Sequence, residues 1–202
     1  MSDGDNLFDL ARQIGELKQR LAVIETGPMP KGLTLIETQT AGAGGLATFD
    51  FTGIPATFAK LVIDLYARGD TAAVNVGLNL TINNDGGANY DYFFTNAPIS
   101  ATWTSGEGVA ATSIRAVYIA AANAPAGTFD LANIEIPQYA NASGQKVMSS
   151  EYTHKDNTTT GNLYRGVAAG WWRAKTAISR VTLTPSAGNF AQYSTARLYG
   201  VY

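Results

Sequence analysis

The chain has 202 residues, a net charge of −2 and no cysteine, with hydrophobic residues at 46% and charged residues at only 15%. That charge balance supplies no field to draw in nucleic acid or an anionic membrane, and the missing thiols exclude disulfides and thiolate metal sites. The charged fraction lies well below the roughly 25% of ordinary soluble domains, and Gly, Ala, Thr and Asn take its place, which suits a β-rich domain better than a helical enzyme.

The opening sequence MSDGDNLFDLARQ starts acidic and has no continuous apolar core, so it does not read as a signal peptide. No apolar run approaches the roughly 18 residues of a membrane span, and no membrane insertion is expected. Leu7, Leu10, Ile14, Leu17, Leu21 and Ile24 alternate in steps of three and four. This is a heptad seam, with Leu7, Ile14 and Leu21 at one core position and Leu10, Leu17 and Ile24 at the other. It predicts a coiled-coil or anchor helix over residues 1–26 that joins copies of the chain. The same spacing also suits an amphipathic helix lying on its own domain. Fewer than three heptads are marginal alone, so the coil needs its heads or a host protein to hold it together. The segment Gly27-Pro28-Met29-Pro30-Lys31-Gly32 removes helical donors and makes residues 27–32 a short, stiff linker.

Beyond the linker the hydrophobic period becomes two. Val74, Val76, Leu78, Leu80 and Ile82 alternate with Asn75, Gly77, Asn79, Thr81 and Asn83, the pattern of a strand with one dry face. Leu61, Ile63 and Leu65 behave alike, as do Ala47, Phe49 and Phe51. Further strands are expected near 33–39, 88–95, 113–121, 128–136, 145–154, 162–173, 178–184 and 194–202. Turn residues such as Asn84-Asp85-Gly86-Gly87 and Pro185-Ser186-Ala187-Gly188 punctuate them. The predicted fold is mainly β: an antiparallel, jelly-roll-like β-sandwich over 33–202, preceded by the short N-terminal helix.

The residues that carry chemistry are sparse. The one histidine, His154, sits at a strand end before a polar stretch and reads as a surface residue. No G-x-S-x-G elbow, P-loop or dinucleotide fingerprint occurs. Asp85 and Asp91 flank a Gly-rich turn without the calcium-loop spacing. Asp64, Asp130, Glu135 and Glu151 are the strand-borne carboxylates from which a glycosidase pair would come, but no spacing selects two of them. Arg68-Gly69-Asp70 spells an adhesion tripeptide yet follows a strand, where Gly then Asp is ordinary turn chemistry. No catalytic residue, metal site or cofactor is predicted. In Gly170-Trp171-Trp172-Arg173, strand geometry sends the tryptophans to opposite faces, one into the core and one outward, with Arg173 on the side of Trp171. Trp171, Trp172 and Arg173 are the candidate contacts for a surface ligand or a second subunit.

Three segments carry a family resemblance. FTGIPATFAKLVIDLYARGD (51–70) resembles an aromatic strand, an I-P turn and a strand ending at an Arg-containing turn in small virion proteins of tailed bacteriophages. LTINNDGGANYDY (80–92) is similar to the same group's Asn/Gly/Asp turn and following N-Y-x-Y strand. GWWRAKTAISRVTLTPSAGNFAQYSTARLYGVY (170–202) resembles its W-R frame, A-I strand, G-N-F and closing L-Y-G-aliphatic pattern. The similarity runs in order over roughly 45–202 and does not include the heptads. It implies a non-enzymatic virion structural protein, assembled in the host bacterial cytoplasm. The class suggests a homotrimer, a capsid decoration protein or short head fibre attached through its N-terminal helices, with other capsid or tail proteins as partners. The alternative it implies is the receptor-binding tip of a tail fibre, adhering to host surface glycan. Ten Tyr and three Trp favour that alternative, because exposed rings stack on sugars.

Overall fold

The computed structural model describes residues 32–98, 103–155 and 163–202, together with Gln13 and Lys18. The heptad positions Leu7, Leu10, Ile14, Leu17, Leu21 and Ile24 lie outside the described residues. The chain divides into two units, Met1–Gly32 and Leu33–Tyr202. The second is built from twelve strands: β1 (Leu33–Thr40), β2 (Phe49–Thr52), β3 (Lys60–Ala67), β4 (Asn75–Ile82), β5 (Tyr90–Pro98), β6 (Thr104–Ala111), β7 (Ile114–Ala120), β8 (Asp130–Pro137), β9 (Lys146–Lys155), β10 (Leu163–Trp172), β11 (Arg180–Pro185) and β12 (Thr195–Val201).

The strands form two antiparallel sheets. One has eight strands in the order β1-β12-β3-β8-β9-β10-β5-β6, and the other has four in the order β2-β11-β4-β7. The expected mainly-β, two-sheet architecture is therefore present. The apolar phase of each alternating strand faces the other sheet. Leu61, Ile63, Leu65, Ile134, Ile136, Met148 and Leu198 from the larger sheet meet Phe49, Phe51, Leu78, Leu80, Ile82, Ile114, Val181 and Leu183 from the smaller. Each such side chain taken out of water contributes about 1.5–3 kcal/mol, and this burial is what drives the sheets together.

β6 was not expected from the sequence, and its composition explains why. TSGEGVAA has no apolar alternation because it lies at the sheet edge and pairs only with β5. Its Gly106 and Gly108 stand opposite Phe94 and Tyr92. A Cβ at Gly106 would lie 2.6 Å from the Phe94 ring, and one at Gly108 would lie 2.4 Å from the Tyr92 ring. The aromatic partners supply the cover that the edge strand lacks.

The Arg68-Gly69-Asp70 turn is consumed by the fold. The Arg68 guanidinium donates to the carbonyls of Pro125, Thr128 and Ala124 at 2.8–2.9 Å and of Ala122 at 3.2 Å, which pins the β7–β8 connection. Asp70 accepts from the Asn189 amide at 2.6 Å and from its side chain at 3.1 Å. Gly188 makes the first of these contacts possible, with φ at 68° and Asp70 Oδ1 2.3 Å from where a Cβ would sit. We expect Gly188→Ala to cost about 2 kcal/mol or more, from the left-handed backbone and the displaced carboxylate together. Urea unfolding of that variant beside Gly86→Ala, where nothing lies within 4 Å of the added methyl, checks the expectation; Gly86→Ala stays within about 0.5 kcal/mol of the parent.

Candidate functional site

The two tryptophans separate as strand geometry requires. Trp172 is 3% exposed and joins the core, and its indole N–H donates to Asp85 Oδ2 at 2.7 Å. That bond, then the Gly87 amide, hold the Asp85 carboxyl below the usual carboxylate range. Trp171 is 40% exposed on the outer face of the larger sheet, opposite Asp91 and Val147. Arg173 lies just beyond β10 and takes Asp91 as its partner, with Nε at 2.8 Å and a second nitrogen at 2.6 Å. Asp91 also accepts from the Ala110 amide at 3.0 Å. Asp85 and Asp91 thus brace the turn between β4 and β5, the edge strand β6 and the end of β10. Among the described residues no group of His, Asp or Glu forms a cluster fit for a metal.

His154 is a correction to the sequence reading. It is 1% exposed, in the inward phase of β9 with Lys146, Met148, Ser150 and Tyr152. Its ring stacks on Tyr164 at 4.3 Å and 8°. The polar residues after it suggested a strand end in water, but strand phase decides its direction. Asp130 also points inward, accepting from the Ala120 amide, and burial pushes its carboxyl up to about 7 against the Ala120 and Lys155 amides and Arg68. Lys146 is buried too, with its ammonium donating to the carbonyls of Asn141, Gly144 and Lys175.

Among the described residues, the outer face of the eight-stranded sheet is open. Antiparallel register sets Arg197 opposite Asp64, Asp64 opposite Asn133, and Asn133 opposite Glu151, across β12, β3, β8 and β9. Asn133 donates its side-chain N–H to Asp64 Oδ1 at 2.8 Å, and Arg165 from β10 reaches Glu151 Oε2 at 3.0 Å. Next to this polar row stand Tyr66 and Leu131 on one flank. On the other flank run Glu135, Ser149, Ala169 and Phe93. Two basins open here. One, of about 530 Å³, lies among Tyr66, Leu131, Asp64, Arg165 and Arg197; the other, of about 640 Å³, lies over the short side chains of Ser149 and Ala169 beside Phe93 and Glu135. Asn133 and Glu151 line both.

Of the four candidate carboxylates, only Asp64, Glu135 and Glu151 share this face. Glu135 is paired with Lys60 at 2.9 Å and Glu151 with Arg165. The sequence reading placed these carboxylates on strands without selecting a pair, and the registers that bring Asp64, Asn133, Glu151, Arg165 and Arg197 together link positions far apart in the chain.

No protein-family model matches the chain, and no curated protein sequence matches it. Among solved structures it is similar to a Caenorhabditis elegans galectin, with 8% identity over 82% of this chain and 95% of that one and a TM-score of 0.31. It is also similar to a Schwanniomyces occidentalis fructofuranosidase variant complexed with fructosylnystose, with 7% identity over 81% of this chain and 35% of that one and a TM-score of 0.17. The class defined by the strands themselves is a two-sheet antiparallel β-sandwich.

Proposed function

We propose that this chain is a non-enzymatic structural protein of a bacteriophage particle, a trimeric capsid decoration protein or short head fibre whose β-sandwich is the head and whose N-terminal helices are the attachment. The observation that carries this reading is the role of the residues behind the phage resemblance. Trp172, Ile178, Phe190 and Leu198 are core, and Phe190 packs on Phe49 with ring centroids 4.2 Å apart. Gly200 lies where a Cβ would meet the Phe58 ring at 2.3 Å. The resembling segments are therefore scaffold, and a likeness carried by scaffold residues speaks for a shared assembly part rather than a shared reaction. The paired, half-open carboxylates of the outer face point the same way.

Deleting residues 1–26 is expected to leave the sandwich folded and to abolish incorporation into particles, read by mass spectrometry of purified virions. Normal incorporation of the shortened chain overturns the attachment role. The second reading, a tail-fibre tip adhering to host glycan, is favoured by one observation: Phe93 and Tyr66 stand open beside polar side chains on the outer face.

A further inference from the structure

We infer that the two adjoining basins on the outer face bind a neutral oligosaccharide, one end of it against Tyr66 and the other against Phe93, four strands away, with Asn133 and Glu151 between them. The inference rests on the adhesion reading and gives it a site and a ligand class.

A sugar ring presents C–H faces that pack on aromatic rings, and hydroxyls that both donate and accept. Each basin offers both kinds of partner. Tyr66 is 43% exposed and is braced from behind by Phe129, stacked at 4.8 Å and 11°. A ring already held in place loses little freedom when a ligand covers it. Phe93 is 47% exposed above the short Ser149 and Ala169, whose size leaves room for a ring to lie flat.

The polar atoms have capacity to spare. The Asn133 amide spends an N–H on Asp64, and its carbonyl oxygen has no partner among the described residues. Among the described residues Glu151 uses Oε2 for Arg165 and keeps Oε1 open, and the Arg197 side chain forms no hydrogen bond or ion pair. These groups stand on strands of one sheet, whose hydrogen-bonded register fixes their spacing before any ligand arrives. The basins' volumes fall in the ordinary range for small-ligand sites, roughly 300–1,000 Å³.

Charge selects the ligand class. Lys60, Arg165 and Arg197 on this face are balanced by Asp64, Glu135 and Glu151. A polyanion would meet the Asp64 and Glu151 carboxylates along the row and Glu135 beside it, so sulfated or uronic-acid glycans and nucleic acid are disfavoured. A second copy of the chain is a poor fit as well, since interface centres are depleted of charge and this face carries its charges in the middle.

The test uses the full-length protein and calorimetric titration against neutral gluco-, galacto-, manno- and N-acetylglucosamine-type tetrasaccharides, with sulfated and uronic-acid tetrasaccharides in parallel. Saturable binding of at least one neutral member is expected. Asn133→Ala and Phe93→Ala are each expected to weaken it by about tenfold, with melting temperatures near the parent's, while Val147→Ala on the same sheet face leaves it unchanged. Absence of binding to every neutral member at millimolar concentration overturns the inference. So does binding confined to the anionic members, neutral binding that survives both basin substitutions, or self-association through this face. Each of those results leaves the virion assignment standing, whereas absence of the protein from purified particles removes that assignment without touching the sugar result.

Discussion

Trp172→Ala is expected to remove about 3–5 kcal/mol of stability, the cost of emptying a large aromatic site in a closed core. Trp172 is packed between the sheets and hydrogen-bonded to Asp85. The neighbouring Trp171→Ala is expected to cost less than about 1 kcal/mol, because that ring stands on the outer face and leaves no enclosed cavity. Trp172→Phe falls between the two. It keeps most of the volume but removes the indole donor, while Asp85 retains Gly87 and Asn89. Urea unfolding of the three variants reads the differences directly. Equal losses at positions 171 and 172 contradict the assignment of one ring to the scaffold and the other to the surface.

The stability of the head is expected to fall as pH rises from about 4 to about 7, and Asp130 is the cause. Its carboxyl is pushed up to about 7, chiefly by burial, against an ordinary value near 3.8. Between those values the folded protein holds a proton that the unfolded chain has released. The stability that the neutral carboxyl contributes is complete below about pH 4 and lost through about pH 7. At about 1.4 kcal/mol for each pH unit, the full loss is on the order of 4 kcal/mol. Asp50 works in the opposite sense at lower pH. Arg180 first, with Thr182, holds its carboxyl below the usual range, so its contribution is lost as pH falls through that lowered value. Asp130→Asn can still accept from the Ala120 amide and carries no ionisable proton. Subtracting the variant's stability profile from the parent's isolates Asp130. A difference that grows steadily between pH 4 and 7 is expected, and a flat difference refutes the assignment.

The architecture was legible wherever the alternation was strong. Val76, Leu78, Leu80 and Ile82 announce β4, and Leu61, Ile63 and Leu65 announce β3, because half-buried strands must repeat every two residues. β6 left no such trace, since the cover over Gly106 and Gly108 is donated by Phe94 and Tyr92 of its partner strand. His154 misled for a related reason: its neighbours in sequence are polar, while its neighbours in space are Tyr164, Tyr152 and Tyr118. The division of Trp171 from Trp172 followed from strand geometry alone, but not which of them faced inward. The outer row was the least legible feature. Asp64 and Arg197 are far apart in sequence and meet only because β12 pairs with β3. Register is a property of the folded sheet and cannot be read from one strand at a time.

The proposed role as a particle component with a β-sandwich head stands or falls on where the protein sits in a virion. Cryo-electron microscopy of purified virions that carry the full-length protein tests it most directly. Clustered sandwich-shaped heads are expected on the particle surface, in threes, with the eight-stranded sheet's outer face turned to solvent. Particles that lack the protein altogether contradict it, whereas heads that bury that face against the shell contradict the sugar site alone.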